Sequence, residues 1–180
     1  MMTAQIANGG YAIKPKIIVD NNPISYEDAK QSMESGLLFD TNSESLLDKK
    51  LFKDKRNIKI VQEAMFSSTN ERFGTSYKSR IDDPKYQFAG KTGTAQVKRI
   101  SKRERELDLE LEQIPYKDRD HALYVAYGPY INPRYALSII VEHGGSGSKA
   151  AAPIAKKLFK LIIDRHELRN KQSNFERITI

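Results

Sequence analysis

Two apolar segments in the second half of the chain constrain its fold more than any other feature of the sequence. His121 to Tyr127 is apolar on both faces, as the central strand of a sheet is, and Tyr135 to Glu142 is a second strand-like segment. Gly128-Pro129 and Asn132-Pro133 lie between them and are typical turn residues. The sequence therefore predicts an antiparallel hairpin. Tyr86 to Val97, with its embedded glycines, is a third β-like segment.

Helical patterns flank these strands. Residues 1–8 have the pattern of a helix end, and Gly9-Gly10 follows as a cap, because glycine adopts the left-handed conformation without steric cost. A second helical pattern begins at Asn57, and a third begins at about Ala150. Their apolar stripes are Ile58, Val61 and Met65 in the second helix and Ile154, Leu158, Leu161 and Ile162 in the third. An antiparallel sheet flanked by helices places the chain in the α+β class.

Three further segments carry less information. Residues 20–56 mix polar side chains with one short apolar cluster and predict no element. Residues 98–120 are a highly charged insertion, which we expect to be solvated. Within it, residues 103–113 fit a solvated helix, or a strand by the alternation of Leu107, Leu109 and Leu111. We expect one domain over residues 1–170, followed by a polar tail over residues 171–180.

Composition narrows the chemistry. The absence of cysteine from the 180 residues excludes disulfides, thiolate nucleophiles and cysteine-based zinc sites. His121, His143 and His166 lack metal-ligand spacing, so we expect no metal and no cofactor. We expect His121 to start a strand, His143 to flank the glycine turn and His166 to lie near a helix C-terminus. The net charge of +7 leaves a basic nucleic-acid-binding module as an alternative. No recognition motif supports that alternative, so we expect no nucleic-acid partner.

The segment with the clearest chemical content is Gly90 to Gln96, which contains Lys91-Thr92-Gly93-Thr94. As a strand it offers one ammonium group, from Lys91, and two hydroxyls. The hydroxyls share one face because Thr92 and Thr94 are two residues apart. Gly93 removes side-chain bulk between them. An extended ligand with a terminal carboxylate could pair with the backbone of this strand, and the threonines and the lysine could hold its charge.

Lys-Thr-Gly is also a motif of penicillin-binding proteins, and the order of the following segments adds specificity. A charged insertion, an apolar strand, Gly128-Pro129-Tyr130, a second strand and Glu142-His143-Gly144-Gly145-Ser146-Gly147 precede a final helix. This series resembles the C-terminal part of class B penicillin-binding proteins, particularly the type that serves cell elongation. The resemblance implies part of a penicillin-binding, β-lactamase-like transpeptidase fold. It also implies descent from a D,D-transpeptidase that cross-links peptidoglycan stem peptides and is acylated by β-lactams.

The resemblance also implies roles for four residues. Lys91 would support the serine of the family's second signature and the substrate carboxylate. Thr92 and Thr94 would donate hydrogen bonds to that carboxylate, and Gly93 would let the ligand approach. The backbone N–H of Thr94 would be one donor of the oxyanion hole, of a kind that contributes about 2.7–4 kcal/mol in other acyl-transfer enzymes.

The sequence departs from the family pattern at the nucleophile. In the family, a Ser-x-x-Lys and a Ser-x-Asn signature precede the helix end that resembles residues 2–10. Here Ser146-Gly147-Ser148-Lys149 and Ser68-Thr69-Asn70 fit these patterns, but both lie at other places in the order, and we expect neither to be catalytic. We therefore expect the chain alone to be inactive. A non-catalytic interaction fragment is the alternative.

The same glycine segment, Gly144 to Lys149, also invites interpretation as a phosphate-binding loop before a helix. It differs from that motif in detail, because Ser148 stands where glycine precedes the lysine and Ala150 where serine or threonine follows it. We expect a structural turn between a strand and a helix.

Location and partners follow from the resemblance. The parent protein would be periplasmic and anchored to the bacterial inner membrane. We expect no signal peptide within these 180 residues, and they contain no apolar run of about 20 residues. Without the rest of the domain, we expect the strand Tyr135 to Val141 to expose Ile139 and Val141. The chain would then self-associate or require the N-terminal half as a partner.

Overall fold

The structure is a computed structural model, and it describes residues 1–13, 51, 53–98 and 109–178, with side chains as far as Asn170. It contains two compact units, Met1–Gln62 and Glu63–Ile180. The described residues exclude most of residues 20–56. They also exclude most of residues 103–113, which the sequence predicted as either a helix or a strand.

Among the described residues, three helices and three strands form the framework. The helices are α1 (Met2–Ala7), α2 (Lys55–Asn70) and α3 (Ala152–Ile178). The strands are β1 (Ala89–Ala95), β2 (His121–Gly128) and β3 (Tyr135–Val141). Short 3₁₀ turns occupy Tyr77–Ser79, Leu111–Gln113 and Tyr116–Asp118, and a π-helical turn at Gly147–Ala151 leads into α3.

In the first unit, the end of α1 is closed by the glycine pair that the sequence predicted as a cap. Gly9 and Gly10 have φ values of 86° and 93°. The N–H of Gly10 donates to the carbonyl of Gln5 at 2.8 Å, and that of Gly9 donates to Ile6 at 3.2 Å. These two bonds form a Schellman motif, which satisfies carbonyl groups that a helix end leaves free. The Gln62 side chain adds a 2.7 Å bond to the carbonyl of Ile6.

In the second unit, β1, β2 and β3 form an antiparallel sheet in that order. Thr92 is opposite Tyr124, and Tyr124 is opposite Ile139. The predicted hairpin and the central position of the His121–Tyr127 strand are confirmed. The predicted third segment is shorter than expected, because only Ala89–Ala95 of Tyr86 to Val97 is strand.

The core lies between one face of this sheet and α3. Tyr124 of β2 and Phe159 of α3 are fully buried, and Phe159 stacks on Phe88 at 4.8 Å between ring centroids. Five alanines of this layer are also fully buried: Ala122, Ala126, Ala151, Ala152 and Ala155. Small residues on both sides let the helix approach the sheet closely enough for the aromatic rings to fill the remaining space.

The two faces of β3 are occupied differently from the expectation. Ile139 and Val141 are half-buried and pack against the core, whereas Ile140 is 62% exposed. The prediction that Ile139 and Val141 would be exposed is therefore wrong. Apolar residues occupy both faces at Ile139-Ile140-Val141, so the alternation of a strand could not indicate which face is buried.

One expectation for the C-terminal region is also corrected. The backbone of α3 continues to Ile178, so the polar segment from residue 171 is helical as far as that residue. His166 consequently lies in the middle of a helix and not near its end. Neither glycine nor proline occurs after Pro153, so no helix-breaking residue ends the helix close to His166.

Candidate functional site

The strand β1, which carries Lys91-Thr92-Gly93-Thr94, lies at an edge of the sheet. Among the described residues it pairs with β2 alone. An edge strand presents backbone N–H and C=O groups to which an extended peptide can add as a further strand. The structure therefore places the predicted binding residues where backbone pairing with a ligand is geometrically open.

Lys91 lies on the opposite face of β1 from Thr92 and Thr94, because side chains alternate along a strand. Its side chain is exposed, and its Nζ donates to the carbonyl oxygen of Thr92 at 2.8 Å. The ammonium group is thus held beside the strand instead of pointing directly away from it. Its expected role stays a prediction.

Thr92 is joined to two further hydroxyls that are distant from it in the sequence. Its Oγ1 lies 3.2 Å from Thr75 Oγ1, and Thr75 Oγ1 lies 3.1 Å from Ser68 Oγ. Thr94 is exposed one pleat further along the same face. The result is a row of hydroxyl groups from the end of α2 to the middle of β1. No sequence pattern joins residues 7 and 17 positions apart in this way.

Gly90, immediately before the motif, is required by the ring of Tyr124. A Cβ at Gly90 would overlap the Tyr124 hydroxyl group. That hydroxyl lies 2.9 Å from Thr69 Oγ1 and 3.1 Å from Ser76 Oγ. Burial raises the pKa of Tyr124, so the ring stays neutral and can serve as both donor and acceptor. The end of α2 and the turn after it are thereby fixed to β1.

Thr69 and Asn70 of the Ser68-Thr69-Asn70 pattern have structural roles. Thr69 is buried against Tyr124, as described above. The Asn70 amide donates to the carbonyls of Phe66 at 3.0 Å and Phe88 at 2.9 Å. These bonds connect α2 to the chain entering β1, so the amide is already used within the fold.

The glycine segment after β3 packs directly on the motif. A Cβ at Gly147 would lie 2.7 Å from the carbonyl oxygen of Gly93 and 3.1 Å from its nitrogen. Only glycine permits this approach to the backbone of Gly93. The segment is a turn from strand to helix, as predicted. Ser146 Oγ lies 3.0 Å from Ser148 Oγ, and Lys149 is exposed.

The histidines do not form a reactive group with the motif. His121 begins β2, as predicted, and its Nδ1 accepts the backbone N–H of His143 at 3.0 Å. His143 Nδ1 lies 3.0 Å from the carbonyl of Arg119. His166 packs edge-on against Tyr135. In the part of the chain that the structure describes, no three His, Asp or Glu side chains form a group that could hold a metal ion.

The charged insertion is closed at its base. The N–H of Val97 donates to the Asp120 carboxylate at 3.2 Å, and Lys98 forms an ion pair with Asp118 at 3.2 Å.

Over the described ranges no helix has the length and apolar character needed to cross a membrane.

The decisive observation is a match to a family model. The model described as Penicillin binding protein transpeptidase domain matches residues 1–160. The chain belongs to this family. The resemblance stated on the Lys-Thr-Gly motif and the order of the following segments is therefore confirmed.

Individual transpeptidases agree with this assignment. Peptidoglycan D,D-transpeptidase MrdA of Salmonella typhimurium (strain SL1344) is 37% identical over 105 residues, which cover 58% of this chain and 16% of that protein. MrdA of Haemophilus influenzae is 30% identical over 154 residues, which cover 83% of this chain and 22% of that protein. This chain spans about a fifth of the length of these relatives.

A solved structure shows the same fold. The crystal structure of Pseudomonas aeruginosa PBP2 in complex with WCK 5153 matches with a TM-score of 0.55 and 28% sequence identity. The match covers 86% of this chain and 26% of that chain. The predicted α+β class and the partial transpeptidase fold are confirmed. The roles of Lys91, Thr92, Gly93 and Thr94 stay predictions.

Proposed function

We propose that this chain supplies the substrate-binding strand of a peptidoglycan D,D-transpeptidase, which transfers an acyl group between stem peptides during cell-wall cross-linking. The observation that carries the proposal is the position of Lys91-Thr92-Gly93-Thr94 on the edge strand of a transpeptidase-family sheet. Backbone pairing along this edge would align an extended peptide with the two threonine hydroxyls.

Each residue of the motif has a distinct task in this proposal. Thr92 and Thr94 donate hydrogen bonds to the terminal carboxylate of the peptide, and such bonds to a charged acceptor are stronger than neutral ones. The Lys91 ammonium adds favourable charge and supports the serine of the second signature. The backbone N–H of Thr94 stabilises the oxyanion that develops on the scissile carbonyl.

The nucleophile has to come from residues other than these 180. The one Ser-x-x-Lys sequence in the chain begins at Ser146, whose hydroxyl is adjacent to Ser148 Oγ while Lys149 is exposed. An acyl transfer needs a serine whose proton a neighbouring base removes. We infer that the chain by itself forms no covalent penicillin adduct. The non-catalytic alternative from the sequence analysis remains an outcome of the test.

The full protein's context follows as part of the same proposal. A transpeptidase that contains this strand would act in the periplasm, be anchored to the inner membrane and be acylated by β-lactams. Its N-terminal portion would be the partner that completes the site.

Fluorescent penicillin tests the proposal in two arms. In the first arm, the 180-residue chain is incubated with the label alone, and we expect no labelled band after denaturing electrophoresis. In the second arm, it is coexpressed with the segment of a MrdA relative that carries the Ser-x-x-Lys and Ser-x-Asn signatures, and we expect label on that segment only when both pieces are present. Label on this chain alone that disappears in Ser146→Ala would overturn the proposal.

A further inference from the structure

The row of hydroxyls at the end of α2 is built rigidly. The backbone N–H and the hydroxyl of Ser76 both donate to the carbonyl of Ser68 at 3.0 Å. A Cβ at Gly74 would overlap the carbonyl oxygen of Ser68. Because glycine has no Cβ, the turn at Gly74 can lie against the end of α2. Thr75 lies between Gly74 and Ser76, so its backbone is held close to Ser68. Its side chain is exposed, and its hydroxyl reaches both Ser68 and Thr92.

The row has a direction that a ligand can select. A hydroxyl has one proton to donate and two lone pairs to accept, so each member of a row can accept from one neighbour and donate to the next. A carboxylate only accepts. When a carboxylate lies beside Thr92, the Thr92 proton has to point to the carboxylate, and its Oγ1 is then available to accept from Thr75, 3.2 Å away. Ser68, 3.1 Å from Thr75, can donate in the same direction.

We propose that Thr75 is a positioning residue, whose hydroxyl orients the Thr92 proton toward the terminal carboxylate of a peptide bound along β1. Thr75 does not contact the ligand in this arrangement. It acts through Thr92, and aligned hydrogen bonds in such a row polarise and strengthen one another. The proposal rests on the proposed function, because it takes β1 as the strand that binds a carboxylate-terminated peptide.

The chemistry separates this role from a purely structural one. A peptide that ends in an amide presents a donor as well as an acceptor, so it can use the Thr92 oxygen without the help of Thr75. Removal of the Thr75 hydroxyl should therefore weaken the binding of the carboxylate and leave the binding of the amide unchanged. A general distortion of the site would weaken both ligands equally.

The experiment is an NMR titration of the 180-residue chain with N-acetyl-D-alanyl-D-alanine and with its C-terminal amide. Thr75→Val removes the hydroxyl at nearly constant volume, and Thr75→Ser keeps it. Ser138→Ala is the matched control, because Ser138 is an exposed hydroxyl on β3 of the same sheet. Ser68→Ala removes the far end of the row without altering Thr75.

We expect Thr75→Val to raise the dissociation constant of the carboxylate peptide about fivefold, which is the effect of about one net hydrogen bond. Thr75→Ser and Ser138→Ala should stay within about twofold of the wild type, and Ser68→Ala should shift the constant in the direction of Thr75→Val by a smaller factor. Binding of the amide should be the same in all five proteins.

Three outcomes would overturn the inference. If the wild type prefers the carboxylate and Thr75→Val binds it equally well, the positioning role is wrong and the proposed function stands. If Thr75→Ser is as weak as Thr75→Val, the hydroxyl is not the cause. If the wild type shows no preference for the carboxylate over the amide, both the inference and the assignment of β1 are wrong.

Discussion

The hydroxyl of Tyr124 lies 2.9 Å from Thr69 Oγ1, and its ring occupies the space beside Gly90 where any other residue would place a side chain. Tyr124 is in the central strand and Thr69 is at the end of α2, so this contact fixes a helix to the sheet just before Lys91. The position of the candidate binding strand thus depends on one buried hydroxyl and one missing methyl group.

The first prediction concerns Gly90. Gly90→Ala forces a Cβ into the Tyr124 hydroxyl, and overpacking of this kind costs about 1–3 kcal/mol of unfolding free energy. Gly93→Ala is the control, because a Cβ there would lie 3.3 Å from the Leu123 Cβ and needs only a small adjustment. Urea denaturation of both variants measures the difference. Equal stability of the two variants would contradict the close packing described at Gly90.

The second prediction compares two buried tyrosines of β2. Tyr124→Phe removes one hydrogen-bond partner each from Thr69 and Ser76, so we expect a loss of about 1–2 kcal/mol of unfolding free energy. Tyr127 is 1% exposed, and its hydroxyl has no hydrogen-bond partner among the described residues. Tyr127→Phe should therefore be neutral or stabilising. The pair is measured by thermal unfolding at pH 7, and a larger loss for Tyr127→Phe would refute the assignment of these bonds.

The third prediction concerns alkaline pH. Burial raises the pKa of Tyr124 and of Tyr127 above the unfolded value of about 10. Above about pH 10 the unfolded state releases these phenolic protons, whereas the folded state keeps them. The free energy of unfolding is therefore unaffected by these groups below about pH 10 and falls as the pH rises above it. Melting temperatures between neutral and alkaline pH test this. Tyr124→Phe should lose less stability than the wild type over that range, and an equal loss would count against the prediction.

The fourth prediction concerns self-association. Among the described residues β3 is the other edge of the sheet, and Ile140 is 62% exposed on the face away from the core. An exposed apolar edge pairs readily with another chain, so we expect the purified chain to associate with itself. Light scattering on the wild type and on Ile140→Lys measures this. The charge should shift the population toward monomer, with Ser138→Lys on the same face as the control for charge alone.

The hairpin and the family could be predicted from the sequence because their signals are local. Strand and turn residues follow one another in His121 to Tyr135, and Lys91 to Thr94 are contiguous. The hydroxyl row could not be predicted, because Ser68, Thr75 and Thr92 meet only after α2 has been fixed to β1 through Tyr124. A hydroxyl on a helix has no sequence signal that distinguishes this use from simple exposure.

The errors have physical reasons as well. Ile139 was expected to be exposed because β3 was predicted to be an edge strand. The sequence pattern did not indicate which face of that strand α3 covers. That face is set by the distant residues of α3, among them Ala152 and Phe159, which pack against the sheet. His166 was expected near a helix end because a polar segment follows it, although a helix without glycine or proline can continue into solvent.

The most direct test of the central claim is the rate of penicillin acylation in a longer protein that contains this chain together with both serine signatures. Lys91→Ala and Thr94→Val are compared with Lys117→Ala, an exposed lysine in the charged insertion. If β1 binds the acyl donor, each of the first two variants should lower the second-order acylation rate about 10²–10³-fold with an unchanged melting temperature, whereas Lys117→Ala should have no effect. Acylation at the wild-type rate in the Lys91→Ala, Thr94→Val double variant would contradict the account.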